Sequence, residues 1–149
     1  MALSMFGEFY HNVDAKGRLS VPAKFRDRLG STVVVATGPD NCLRIYSVED
    51  WDKFMEGLNE QVDTSSADGR NLFRFFAANA STCDLDSQGR VIISPKLRRY
   101  AGITKEVVVI GSGDKAEVWD KNRYEATFAS VTENDEAIND LIAQYGLQI

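Results

Sequence analysis

The sequence predicts an α+β fold made of two copies of one unit, and three observations predict it. Asp14-Ala15-Lys16-Gly17-Arg18 returns 72 residues later as Asp86-Ser87-Gln88-Gly89-Arg90. The run Leu19-Ser20-Val21-Pro22-Ala23-Lys24-Phe25-Arg26 faces Val91-Ile92-Ile93-Ser94-Pro95-Lys96-Leu97-Arg98, and both reach a glycine, Gly30 and Gly102. Further on, Val33-Val34-Val35 answers Val107-Val108-Val109, and Arg44-Ile45-Tyr46-Ser47 answers Glu117-Val118-Trp119-Asp120. Internal repetition decides architecture ahead of local propensity. Each copy is ~45 residues, too small for a comfortable core of its own, so the halves are expected to share one.

Residues 9–13 and 19–21 are short β-prone runs joined by the first Asp-x-x-Gly-Arg loop, which reads as a hairpin. Asp14 and Asp86 are read as turn formers, with Gly17 and Gly89 supplying positive φ. Pro22 suits the first turn of a short helix ended by Gly30. The second copy uses Ser94 as N-cap, Pro95 at the first helical position and Gly102 as terminator. Strands follow at 32–37 and 43–46, split by Gly38-Pro39-Asp40-Asn41, and at 106–110 and 116–119, split by Gly111-Ser112-Gly113-Asp114. A helix from 48 to about 61 puts Trp51, Phe54, Met55 and Leu58 on one face, and one from 121 to about 131 does the same with Tyr124 and Phe128. Trp51, Phe54 and Phe128 are expected in the core. After the linker Asp63-Thr64-Ser65-Ser66, a helix from 68 to about 80 carries Leu72, Phe73, Phe75 and Phe76, apolar on more than one side and expected to be wedged between repeats or subunits. An acidic helix is expected over 133–147. The units so defined are residues 5–62 and 83–149, joined by 63–82.

With 44% apolar and 26% charged residues the chain has an ordinary soluble composition, and no apolar run approaches the ~20 residues of a membrane span. No secretory signal is recognisable; Met1-Ala2-Leu3-Ser4 precede Met5 as an extension that is either native or added. Cys42 and Cys83 lack metal-type spacing and are read as free cytosolic thiols. The net charge of −5 speaks against a nucleic-acid partner, but its distribution does not. Nine of 17 basic residues lie in two equivalent windows, 14–30 and 86–102, while Glu133, Asp135, Glu136 and Asp140 gather elsewhere.

Candidate nucleic-acid contacts are Lys16, Arg18, Lys24 and Arg26 in the first copy and Arg90, Lys96, Arg98 and Arg99 in the second. The basic groups of each copy are expected along one edge, from loop tip to helix start. A guanidinium matches phosphate oxygens and the O6/N7 edge of guanine in bidentate fashion. The bland alternative is a solvated face, with each arginine pairing its own aspartate. Repetition favours function, because two solvated faces need not keep one basic pattern. His11 has no partnered nucleophile or carboxylate, and Gly111-Ser112-Gly113 lacks the Lys-Ser/Thr of a phosphate-binding loop. Asp84, Asp86 and Asp14 offer too few ligands for a cation. No catalytic residue, metal or cofactor is therefore predicted, and an enzyme is the least supported class.

The run Phe6-Gly7-Glu8, followed by the stretch from Asp14 to Arg26, resembles the start of the bacterial MraZ family. Leu85-Asp86-Ser87-Gln88-Gly89-Arg90-Val91-Ile92-Ile93, with Leu97-Arg98-Arg99-Tyr100-Ala101-Gly102-Ile103, is similar to that family's second repeat. The likeness runs from Met5 to about Leu141. It implies two tandem swapped-hairpin units of the SpoVT/AbrB type, forming a pseudo-dimeric barrel with flanking helices. It also implies a DNA-binding regulator, commonly a repressor, of the division and cell-wall gene cluster containing its own gene. Such proteins are implied to form rings on double-stranded DNA with short direct repeats, which would place this one in the cytoplasm at the nucleoid, away from membranes. The family's loop arginines fall on Arg18 and Arg90, and its helix-start basic residues on Arg26, Arg98 and Arg99. Asp27 departs from this pattern, leaving open whether Arg28 substitutes; Ser94-Pro95 departs in the placement of proline.

Two other readings stand beside DNA binding by the loops, one of them a runner-up within DNA binding. A protein-interaction module of antitoxin type would draw on the acidic C-terminal helix and the aromatic inter-repeat helix. A helix-turn-helix on 95–103 is disfavoured, because a β-rich stretch follows it.

Overall fold

Both copies of the repeat fold to the same order of elements. The computed structural model describes residues 4–149; Met1, Ala2 and Leu3 of the extension lie outside the described residues. The first copy runs β1 (Glu8–Asn12), β2 (Arg18–Ser20), α1 (Ala23–Leu29), β3 (Thr32–Gly38), a 3-10 turn at Pro39–Asn41, β4 (Cys42–Ser47) and α2 (Val48–Gln61). After α3 (Ala67–Ala77) the second runs β5 (Ser81–Asp84), β6 (Arg90–Ile92), α4 (Pro95–Ala101), β7 (Glu106–Gly111), β8 (Ala116–Asp120) and α5 (Lys121–Thr132), and α6 (Asp135–Gln144) follows. The class is α+β.

Helix starts follow the capping residues. Ser47, Ser66, Ser94, Asp120 and Asn134 each accept a backbone N–H from the first turn of the helix that follows. Pro22 sits one place earlier than expected, as the extended cap of α1, and its carbonyl accepts from Phe25 N at 2.9 Å. Gly102 ends α4 in the left-handed conformation, φ 66°. The helix expected to reach residue 80 stops at Ala77, because Ser81–Asp84 is drawn into a strand against the free edge of β3.

The loops have the turn of a hairpin but not its pairing. Asp14 N donates to Arg18 O at 3.0 Å and Gly17 N to Asp14 O at 2.9 Å; Asp86, Arg90 and Gly89 repeat both bonds at 3.0 and 2.9 Å. Beyond the turn the arms part. β1 pairs with β7, β5 with β3, and β2 with β6, all antiparallel. Each copy thus gives its first strand to the other copy's sheet. The six-stranded order β1-β7-β8-β4-β3-β5 reads the same from either end when the copies are exchanged, so a pseudo-twofold passes between β8 and β4. The ribbon β2–β6 forms a separate two-stranded sheet, so the ladders do not close into a complete barrel.

One apolar cluster holds both copies together: Leu19, Phe25, Val33, Val35 and Ile45 pack with Val91, Leu97, Val107, Val109 and Val118, all buried. On the outer side Phe54 meets Phe76 edge-on at 5.0 Å, and Phe75 meets Tyr100 at 6.0 Å. α3 therefore touches aromatic groups of both repeats. Phe128, expected in the core, is 43% exposed and stacks on Tyr124 at 5.3 Å. Trp51 and Phe54 are half-buried, since α2 lies on the outer surface of the sheet. Among the described residues no helix is long and apolar enough to cross a membrane.

Candidate nucleic-acid interface

Each loop is organised by its aspartate. Asp14 Oδ1 accepts from Lys16 N at 3.0 Å and Arg18 N at 2.9 Å, while Oδ2 accepts from Arg18 Nε at 2.6 Å. Asp86 Oδ1 accepts from Gln88 N and Arg90 N, both at 2.9 Å, and Oδ2 from Arg90 Nε at 2.7 Å. Hydrogen bonds to the ionised form, led by the arginine's backbone N–H, hold both carboxyls below the usual carboxylate range. The pairing uses only Nε. Among the described residues no hydrogen bond engages the Nη nitrogens of Arg18 or Arg90, which leaves four N–H donors per guanidinium, two on each Nη, for an anion.

Glycine is needed at the fourth loop position for two reasons. Gly17 has φ 82° and Gly89 φ 72°. A Cβ on Gly17 would stand 2.8 Å from Ile93 O, and one on Gly89 would run into the Arg26 guanidinium.

These close approaches show how the copies interlock. Ile93 N donates to Gly17 O at 2.8 Å and Val21 N to Gly89 O at 3.0 Å, extending the β2–β6 ladder into both loops. Each loop therefore sits at the start of the other copy's helix. The basic groups do not gather copy by copy as expected: the 14–18 loop lies beside Ile93 and the Arg98 side chain, and the 86–90 loop beside Val21 and Arg26.

Arg26 and Arg98, expected as DNA contacts, each lie beside the other copy's loop. Arg26 donates Nε and Nη2 to Val21 O at 3.1 and 3.0 Å, and Nη2 also reaches Gln88 O at 3.5 Å. The Arg98 guanidinium lies in contact range of a Cβ on Gly17, at 3.4 Å, with its Nε buried and lacking a hydrogen-bond partner. Lys16, Lys24, Lys96 and Arg99 are exposed, and Arg18 and Arg90 are half-buried. Arg28, next to Asp27, is engaged by α2. It donates Nε and Nη2 to Asp50 at 2.8 and 3.0 Å, joining α1 to α2.

The ribbon adds two residues that sequence reasoning missed. Leu19 and Val91 are fully buried, so their neighbours Arg18, Ser20, Arg90 and Ile92 take the outer face. Period-two alternation carried this signal, but a three-residue strand is too short to reveal it without its partner.

Other reactive types stay apart. Burial pushes the Cys42 thiol up to about 12. Asp84 accepts from Thr32 Oγ1 at 2.7 Å, and no group of His, Cys, Asp and Glu among the described residues is arranged to hold a metal ion.

The comparisons agree with the duplication. The family model described as "MraZ protein, putative antitoxin-like" matches residues 5–74 and again 76–141. A protein of Pediococcus pentosaceus named Transcriptional regulator MraZ is 42% identical over 141 residues, covering 95% of this chain and 98% of its own. Proteins of the same name from Lachnoclostridium phytofermentans and Acetivibrio thermocellus are 42% and 39% identical, each over 95% of this chain and over 96% and 99% of their own. These are names of regulators, not of enzymes. Two consecutive family matches, two consecutive loops of one geometry and full-length relatives lead to one conclusion: the chain belongs to the MraZ family.

Proposed function

We propose that this chain is a transcriptional regulator that binds double-stranded DNA through the outer face of the β2–β6 ribbon and the loops at its ends. The observation that carries this reading is the doubled Asp-pinned arginine: Arg18 and Arg90 are held alike at Nε with their Nη donors unengaged. A preset guanidinium loses less freedom on meeting phosphate or a guanine edge than a mobile one. A two-stranded ribbon also has the width to enter a major groove. Lys16, Lys24, Lys96 and Arg99 would neutralise flanking phosphates and make binding steeply salt-dependent. Arg26 and Arg98 would add positive charge beside the loops, Arg26 while holding Val21 O and Gln88 O.

Each unit, 5–62 and 83–149, supplies one loop, and 63–82 links them. A subunit of net charge −5 binds weakly alone. A homo-oligomeric ring would set several ribbons along tandem direct repeats and gain by avidity. The reading is completed by repression of the division and cell-wall gene cluster that includes the chain's own gene, in the cytoplasm at the nucleoid. Arg18→Ala and Arg90→Ala should each weaken binding to the duplex upstream of that gene by tenfold or more, about 1.4 kcal/mol or above, with the melting temperature nearly unchanged. Wild-type affinity of both variants at ~150 mM salt would sink the reading.

A second reading, an interaction module of antitoxin type, draws on α6 and the residues after it, where Leu141 and Tyr145 are 46% and 70% exposed beside acidic groups. A partner retained after nuclease treatment of a lysate would favour it; one lost with the DNA would count against it.

A further inference from the structure

The outer face of the ribbon is a four-residue array, and its two halves differ. In the β2–β6 register Arg18 stands opposite Ile92, and Ser20 opposite Arg90. Side chains directly opposite in an antiparallel pair have Cβ atoms only ~5 Å apart. The two arginines therefore occupy one diagonal of the face, and Ser20 and Ile92 the other. Ser20 and Ile92 are equivalent positions of the two repeats, yet one is a hydroxyl and the other an aliphatic side chain left 59% exposed. The other large residues of this ribbon, Leu19 and Val91, are fully buried.

Charge selects the occupant of this face. An aliphatic group between two arginines with unengaged Nη donors suits a polyanion that also presents apolar atoms. Duplex DNA does so in the major groove, where the thymine C5-methyl projects among the acceptor atoms of the base edges. We propose that Ile92 packs against a thymine methyl while Ser20 hydrogen-bonds a base edge, so that the two halves of the ribbon read different base pairs. This rests on the DNA-binding reading above and adds a specificity determinant to it. The pseudo-twofold of the backbone then does not impose a palindromic site, because the residues at its two reading positions differ.

The test is a cycle between protein and DNA, using full-length wild type and Ile92→Ser. Each is titrated with the duplex upstream of the chain's own gene, made with thymine or with deoxyuridine throughout. Wild type should lose about fourfold in affinity per Ile92–methyl contact removed, the worth of one buried CH₂. Ile92→Ser should bind the thymine duplex more weakly by a similar factor and show a correspondingly smaller thymine-to-uracil ratio. Methyl groups lost elsewhere affect both proteins alike and cancel. An Ile92→Ser ratio equal to wild type's overturns the proposal while leaving DNA binding intact. Failure of wild type to bind either duplex overturns the DNA-binding reading itself. Should Ile92→Ser not fold, Ile92→Asn, which carries no methyl group, replaces it in the cycle, with the same reduced ratio expected and the wild-type ratio again decisive.

Discussion

Asp14 and Asp86 each do two jobs with one carboxylate. Each closes the loop by accepting two backbone N–H groups and orients its arginine through Nε. Because both carboxyls titrate below their ordinary value, the folded state binds fewer protons than the unfolded chain as acid is added. Their contribution is therefore complete above the unfolded carboxylate range, about pH 4, and is lost as pH falls through the lower folded value. Melting temperature should hold down to about pH 4 and then fall. The double variant Asp14→Ala/Asp86→Ala should show a shallower fall in melts taken across this range. An acid limb unchanged from wild type would mean that other carboxylates carry it.

At the scale of elements, the ion pair between α1 and α2 is the clearest staple. Asp50 accepts from Arg28 at 2.8 and 3.0 Å and from Ser47 Oγ at 3.0 Å, and its own N–H donates back to Ser47 Oγ at 3.0 Å. The bond from Arg28, ahead of the other influences, holds its carboxyl below the usual range. With side chains 17% and 10% exposed, this pair is shielded far more than a surface bridge. Asp50→Ala should cost about 2–3 kcal/mol in urea unfolding, and Asp50→Asn less, because the amide oxygen still accepts one bond. DNA binding should survive either change, since neither touches the ribbon. Equal losses for the two variants would show that the charge, not the hydrogen bonding, is what matters.

At the scale of the whole molecule, exchange of strands between copies makes the repeats depend on one another. Leu19 and Val91 meet on the buried side of the ribbon within one cluster drawn from both copies. Leu19→Ala should cost about 2–5 kcal/mol and lower the melting of both halves together. Trp51 in the first copy and Trp119 in the second allow fluorescence to follow each half separately. Single-tryptophan variants should report one shared transition coincident with circular dichroism. Two separated transitions would instead mean that each unit keeps a core of its own.

The sequence by itself determined the duplication, the loops, the helix caps and nearly every strand, because these depend on neighbours a few residues apart. Asp14 and its loop, Ser47 before α2 and Gly102 after α4 were legible for that reason. Only the tertiary structure decided which strands pair, since β1 with β7 and β2 with β6 join segments more than 60 residues apart in sequence. That pairing sets each loop against the other copy's helix, places Arg26 and Arg98 beside the opposite loops and brings Ile92 beside Arg18. It also ends α3 early, because the open edge of β3 offered backbone partners that a continued helix would have left unmet. Local composition specifies what a segment can become; the shared core and the unpaired strand edges choose what it pairs with.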